Sequence, residues 1–300
     1  VDHCPSICFH SRVILITDER CTEYHSPGHP ERPERIRGTL AKLRGQPGLK
    51  ISWEKPVAVD AGVLLRAHTA NHIQRLGEAK ADFDGDTPAY PGIFEHAVRG
   101  VGGGLAALAA ARRGEPNLSL LRPPGHHATS SRAMGFCYLG TIAITVLEAL
   151  NTGAKRVAVL DFDVHHGNGT EAILAGKKGA YFASIHQHPC YPGTGLEDVA
   201  DNCFNYPVPP EHPRLEYRKV LERALERLLG QKPDLLAVSA GFDAYARDPI
   251  AHETLESEDY HWLGEKIRKA GLPTLNVLEG GYSDDLPELV LAYLKGLTGR

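Results

Sequence analysis

Apolar residues in this chain fall into short unbroken runs, separated by longer stretches with helical spacing. The runs Val13–Thr17, Asn117–Leu121, Arg156–Asp161, Ala180–Ile185, Asp234–Ser239 and Thr274–Leu278 are expected to be strands. A run such as Val157-Ala158-Val159-Leu160 shows no polar alternation, which suits a parallel sheet covered on both faces. Helical spacing runs through Pro33–Leu43, Ile93–Arg113, Gly140–Leu150, Pro213–Leu229, Glu258–Ala270 and Leu286–Leu297. Strands alternating with helices predict an α/β fold with a central, mostly parallel sheet flanked by helices. No linker, composition shift or internal repeat divides the chain, so residues 1–300 read as one domain, with 1–11 as an N-terminal tail.

Three of these runs end in polar clusters: Asp161-Phe162-Asp163-Val164-His165-His166-Gly167-Asn168-Gly169-Thr170, Ser239-Ala240-Gly241-Phe242-Asp243 and Glu279-Gly280-Gly281-Tyr282. A fourth, Arg122-Pro123-Pro124-Gly125-His126-His127, follows Asn117–Leu121. Ligands of open α/β sheets bind beyond the carboxyl ends of the strands, so the clusters are expected to share one site. In an extended segment Asp163 and His165 project to one side, with Asp161 behind them, and can reach one ion. Gly167 and Gly169 allow a sharp turn into a helix, for which Thr170 is the expected N-cap. Asp243 is a candidate third ligand. Two carboxylates and one imidazole leave open positions on a divalent ion, the pattern of a catalytic site. Zn(II) suits this donor set, and Fe(II) or Co(II) also fit it.

The remaining composition narrows the class. The 33 Lys+Arg against 37 Asp+Glu give a net charge of -4, which argues against a surface that coats nucleic acid. No stretch is long and apolar enough to span a membrane, and Val1–Ser11 lacks the pattern of a signal peptide. The chain opens without an initiator Met, which reads as a processed, trimmed or non-standard start. Six cysteines with no zinc-finger spacing, in a chain too large to need disulfides, point to a reducing cytoplasm. Cys4 and Cys8 are assigned no role. The Gly102-Gly103-Gly104 run lacks a Gly-Lys-Ser/Thr ending, so it reads as close helix packing and not as a phosphate loop.

Taken in order, the polar clusters resemble the histone deacetylase family of the arginase–deacetylase superfamily. Gly135-Phe136-Cys137, Ser184-Ile185-His186, Tyr191-Pro192-Gly193-Thr194-Gly195 and His29-Pro30-Glu31-Arg32-Pro33-Glu34-Arg35 extend the match from about residue 25 to residue 285. Asn168 in His-His-Gly-Asn-Gly-Thr and the Asp243…Asp248-Pro249 spacing resemble the class II and bacterial amidohydrolase branch. The resemblance implies a single deacetylase-like domain and a zinc-dependent hydrolysis that removes acyl groups, acetyl first, from lysine ε-amines. It implies Asp163, His165 and Asp243 as metal ligands. His127 would be the main general base and then acid, with His126 more electrostatic. Asp161 would hold His126, and Asn168 would sit behind His127. Tyr282 would donate to the substrate carbonyl oxygen.

Phe136 and Tyr191, with Gly135, would wall a tunnel for the acyl-lysine stem, and Asp86 would be a rim residue that binds substrate backbone. A structural K+ or Na+ would use Asp161 and Ser184 side chains with carbonyls of residues including Asp163, His165 and Ile185. Arg35 matches a position on an internal channel thought to release acetate. Plainer roles compete at several positions. Asp82, Asp84 and Asp86 can be a solvated acidic loop, Arg35 a structural ion pair, and Phe136 and Tyr191 packing aromatics.

The chain departs from the family at Leu139-Gly140-Thr141, where Phe-Asn-Asn is common, and has Tyr191 where Phe is common. Related enzymes act on acetylated polyamines, and some carry an acidic gatekeeper after the Asp-Pro. Ile250 stands there in this chain, and its apolar side chain favours acyl-lysine over a substrate with a second ammonium. A non-catalytic acyl-lysine reader is the alternative of another class, but candidates for ligands, base and oxyanion donor are all present. Without a long insertion the expected state is a monomer, with neither nucleic acid nor membrane as partner.

Overall fold

The computed structural model describes residues 12–300; the proposed tail, with Cys4 and Cys8, lies outside the described residues. Eight strands pair: β1 (Arg12–Ile16), β2 (Lys50–Glu54), β3 (Asn117–Ser119), β4 (Val157–Asp161), β5 (Ala180–Gln187), β6 (Cys203–Val208), β7 (Leu235–Ala240) and β8 (Thr274–Leu278). They form one sheet in the order β2-β1-β3-β8-β7-β4-β5-β6, parallel at every pairing. The helices are α1 (Glu34–Gly45), α2 (Ala61–Leu64), α3 (Ala70–Glu78), α4 (Ile93–Arg112), α5 (Thr141–Asn151), α6 (Asn168–Leu174), α7 (Arg214–Gly230), α8 (Ser257–Lys269) and α9 (Leu286–Thr298). None among the described residues is long and apolar enough to cross a membrane.

Successive strand residues feed opposite cores, as the two-residue period requires. Val13, Leu15, Ala158 and Leu160 pack with α1, α7, α8 and α9. Ile14, Ile16, Val157 and Val159 pack with α4 and α5. Both faces are therefore apolar, which accounts for the unbroken runs.

The sequence reading missed the two edge strands. β2 reads Lys-Ile-Ser-Trp-Glu and has only exposed or half-buried residues, while β6 carries Asn205 and Pro207. One-sided pairing tolerates both patterns. Thr170 is not the N-cap of α6. Gly167 holds that place without a side-chain cap, and Thr170 lies buried inside the helix.

Glycines set the closest approaches. A Cβ at Gly102 would strike the Val57 carbonyl, one at Gly103 the side chains of Leu121 and Ser119, and one at Gly104 the Thr145 hydroxyl. This run packs α4 against its neighbours. Where α8 crosses α9, a Cβ at Gly264 would collide with the Tyr293 carbonyl and lie 2.9 Å from the Leu297 nitrogen. The obstacles are backbone, so the helices would have to part. Gly264→Ala should lower stability by roughly 1–3 kcal/mol, read from denaturant midpoints; an unchanged midpoint would contradict this packing.

Glu253 is buried and accepts the His212 N–H at 3.3 Å. Burial pushes its carboxyl up to about 8, against the weaker pull of that hydrogen bond. The stability linked to its protonated form is complete below the unfolded value of about 4.3. It is lost as pH rises through the folded value of about 8. Glu253→Gln should therefore gain on the parent in melting temperature between about pH 5 and about pH 9. Parallel curves would refute it.

Candidate active site

Four polar clusters follow four strands that are neighbours in the sheet, β3, β8, β7 and β4, so their loops meet at one end. Past Asp161 the chain leaves the sheet. Asp163 Oδ1 accepts the His165 N–H at 2.9 Å, and this bend turns both side chains toward the loop after β7. His165 Nδ1 then lies 3.1 Å from Asp163 Oδ1 and 3.1 Å from Asp243 Oδ2. The three groups are buried, with ligand atoms all within 4.8 Å of one another. Main-chain N–H groups hold the other oxygens: Gly280 donates to Asp163 Oδ2 at 2.7 Å and Val164 to Asp243 Oδ1 at 2.8 Å. A Cβ at Gly280 would collide with both carboxylates, and one at Gly241 with Asp163.

The electrostatics of this trio are strained. Burial, and then the Asp163 charge, push Asp243 up to about 7. Asp163 is held well below the usual carboxylate range, because His126 and His165 outweigh its burial. Hydrogen bonds to the two carboxylates raise His165 against its own burial. A divalent cation among two carboxylates and an imidazole nitrogen would relieve the repulsion, and the donor set fits Zn(II) or Fe(II).

The tandem histidines stand beside it, ring centroids 4.0 Å apart. Burial alone would lower His126, but Asp163 and Asp161 push it up to about 10. Its Nδ1 is 3.1 Å from Asp161 Oδ2. His127 goes the other way: burial, then the charges of His126 and His165, hold it well below its ordinary value. His127 Nδ1 lies 2.7 Å from Asn168 Oδ1, and the Asn168 amide nitrogen donates to Met134 Sδ at 3.6 Å. With that orientation the Asn168 carbonyl accepts from Nδ1, which leaves His127 Nε2 as the free acceptor.

Tyr282 is buried, with Arg35 Cζ 4.7 Å from its ring centroid. The Phe136 ring meets it edge-on at 5.8 Å, and Tyr191 meets His127 edge-on at 5.1 Å. Gly135 (φ +56°) lies between, since a Cβ there would crowd both His127 and Tyr191 at 2.9 Å or less. Phe136 itself has φ +66°, a strained value for a bulky residue, and its N–H donates to Thr87 Oγ1 at 3.1 Å.

Asp86 is next to that Thr87, accepting from its hydroxyl at 3.2 Å, while its carbonyl lies 3.1 Å from His29 Nε2. Burial and the neighbouring Asp84 raise its carboxyl. Ile250 is half-buried, with its N–H on Asp248. Ser184 is the cross-strand neighbour of Asp161, and its hydroxyl meets His186 Nδ1 at 3.0 Å; Ile185 follows it, buried. Arg35 is buried in an ion pair with Glu31 at 3.1 Å, and also donates to the carbonyls of Gly281 (2.7 Å) and Glu279 (2.6 Å).

Two supporting groups had no role assigned from sequence. Glu279, fully buried and pushed up to about 7 by that burial, accepts the N–H of Gly125 at 2.7 Å and of His126 at 3.1 Å. Asp248 accepts from Ile250 and Tyr282. Both were quoted within motifs, but their acceptor roles arise from loops brought together by folding. A further buried pair, Glu31 with Arg122, ties the N-terminal loop to the loop after β3 that bears the histidines.

A family model described as histone deacetylase domain matches residues 29–297. The chain belongs to the histone deacetylase family. A probable deacetylase of Methanothermobacter thermautotrophicus is 38% identical, over 96% of this chain and 91% of that one. A histone deacetylase-like amidohydrolase of Pseudomonas aeruginosa is 37% identical, over 91% of this chain and 77% of that one. The crystal structure of an acetylpolyamine aminohydrolase from Burkholderia pseudomallei superposes with a TM-score of 0.87 at 26% identity, covering 95% of this chain and 98% of that one. This member of the family has the arginase–deacetylase fold, and membership makes it a hydrolase of amide bonds of the deacetylase type.

Gly280→Ala should strip the site of metal affinity, because the added methyl enters the space of both carboxylates. Wild-type metal content in a folded Gly280→Ala variant would refute the assigned geometry.

Proposed function

We propose that this chain is a metal-dependent deacetylase that cleaves the acyl amide of a lysine ε-amine in proteins or peptides. The observation that carries it is geometric: the tandem His126 and His127, held by Asp161 and Asn168, stand beside three buried ligating groups. A zinc ion on Asp163, His165 and Asp243 would supply Lewis acidity toward the amide carbonyl and the attacking water. His127 Nε2 takes the proton of that water and later delivers it to the departing amine. Asn168 keeps His127 in the tautomer this requires. His126, paired with Asp161, places positive charge beside the developing oxyanion. Tyr282 donates a hydrogen bond from its phenolic O–H to that oxygen and keeps its proton. Phe136 and Tyr191 hold the aliphatic stem and exclude water, and Asp86 meets the substrate backbone outside them. A monovalent cation beside Asp161 and Ser184 would brace the loop of Asp163, His165 and Ile185.

Ile250 favours acyl-lysine, because an apolar side chain does not favour a second substrate ammonium. A second reading is a small acetylated amine such as an acetylpolyamine. The similarity to an acetylpolyamine aminohydrolase favours it, as do the adjoining carboxyls of Asp84 and Asp86 beside Phe136.

Turnover of zinc-loaded protein on an acetyl-lysine peptide and on an acetylated polyamine separates the two. The peptide should be preferred, and Tyr282→Phe should lower kcat by roughly 100- to 1000-fold with metal content unchanged. Faster turnover of the polyamine would select the second reading. Wild-type turnover by Tyr282→Phe would remove the assigned oxyanion donor.

A further inference from the structure

We propose that Asp248 is a positioning residue, one that sets the phenol of Tyr282 and couples it to the loop of Ile250; the inference rests on the deacetylase reading above. Asp248 lies on the loop after β7, five residues beyond Asp243, and is 7% exposed. Its Oδ2 accepts the Tyr282 N–H at 2.7 Å, and its Oδ1 accepts the Ile250 N–H at 3.1 Å. Its own N–H is fixed to the Tyr245 carbonyl at 2.9 Å. One buried carboxylate thus joins the loop that carries the oxyanion donor to the loop that carries the candidate tunnel-side residue.

The segment before Tyr282 needs such a hold. Gly280 and Gly281 precede it, and Gly281 has φ +114°, so the chain has little conformational preference of its own there. Arg35 fixes the Gly281 carbonyl and Asp163 fixes the Gly280 N–H, while among the described residues Asp248 is what accepts the N–H of Tyr282 itself. A carboxylate can accept on both oxygens at once. An asparagine offers a single acceptor oxygen and turns N–H donors toward whichever amide it does not serve.

The test is a double-mutant cycle with Tyr282→Phe, read as the rate of acetyl-lysine peptide cleavage with zinc-loaded enzyme in excess. Asp248→Asn alone should slow cleavage about 10- to 100-fold, with little change in KM and unaltered zinc content. In the Tyr282→Phe background the same substitution should change the rate by less than about threefold, because the group through which it acts is gone. Losses that multiply in the double variant would overturn the proposal and make Asp248 a general structural residue, as would a wild-type rate in Asp248→Asn. A wild-type rate in Tyr282→Phe alone would sink the underlying reading and this proposal with it. If Asp248→Asn does not fold, Asp248→Glu, which keeps both acceptors on a longer arm, takes its place in the cycle with the same criteria.

Discussion

Two carboxylates with no access to solvent face one imidazole nitrogen, and the architecture around them follows from that demand. Asp163 and Asp243 could not both stay ionised at this depth without compensating charge, as the upward push on Asp243 records. The protein does not separate them. It removes every side chain that would keep them apart: Gly241 and Gly280 are bare where a methyl would collide with the acids. Amide donors from neighbouring loops fix the oxygens that face away from His165. The result is a compact cluster of three ligand-type groups, the one in which the proposed function places its metal ion.

The same charge accounts for the split between the histidines. His126 lies between Asp161 and Asp163, 3.1 Å and 3.7 Å from their nearest oxygens, and is drawn to the charged form. That charge, 4.0 Å from His127 by ring centroid, together with burial, keeps the second ring neutral. Two chemically identical side chains are thereby pushed toward opposite charge states by their surroundings alone. Behind them, Glu279 holds the amides of Gly125 and His126, so the loops that carry the reactive groups are fastened to each other and not only to their own strands.

Much of the fold was legible in the chain. The six central strands appeared as apolar runs because both of their faces are covered, and the polar clusters that follow four of them do meet at one end of the sheet. The edge strands β2 and β6 stayed hidden because half-exposed residues and Pro207 erase the pattern. The cap of α6 was misjudged because Gly167 starts the helix with no side chain to signal it. The roles of Glu279 and Asp248 could not be read locally. Each holds a distant amide, 34 residues away for Asp248 and 154 for Glu279, and no spacing rule links them.

The proposed chemistry needs a single ion held by three side chains. Diffraction data collected on either side of the zinc absorption edge, from crystals of zinc-loaded protein, would test it most directly. One anomalous peak per chain is expected, within bonding distance of His165 Nδ1 and one oxygen each of Asp163 and Asp243. A peak displaced to His126, Cys137 and Glu279, a second buried group of ligand-type residues among the described residues, or no peak among these side chains, would contradict it.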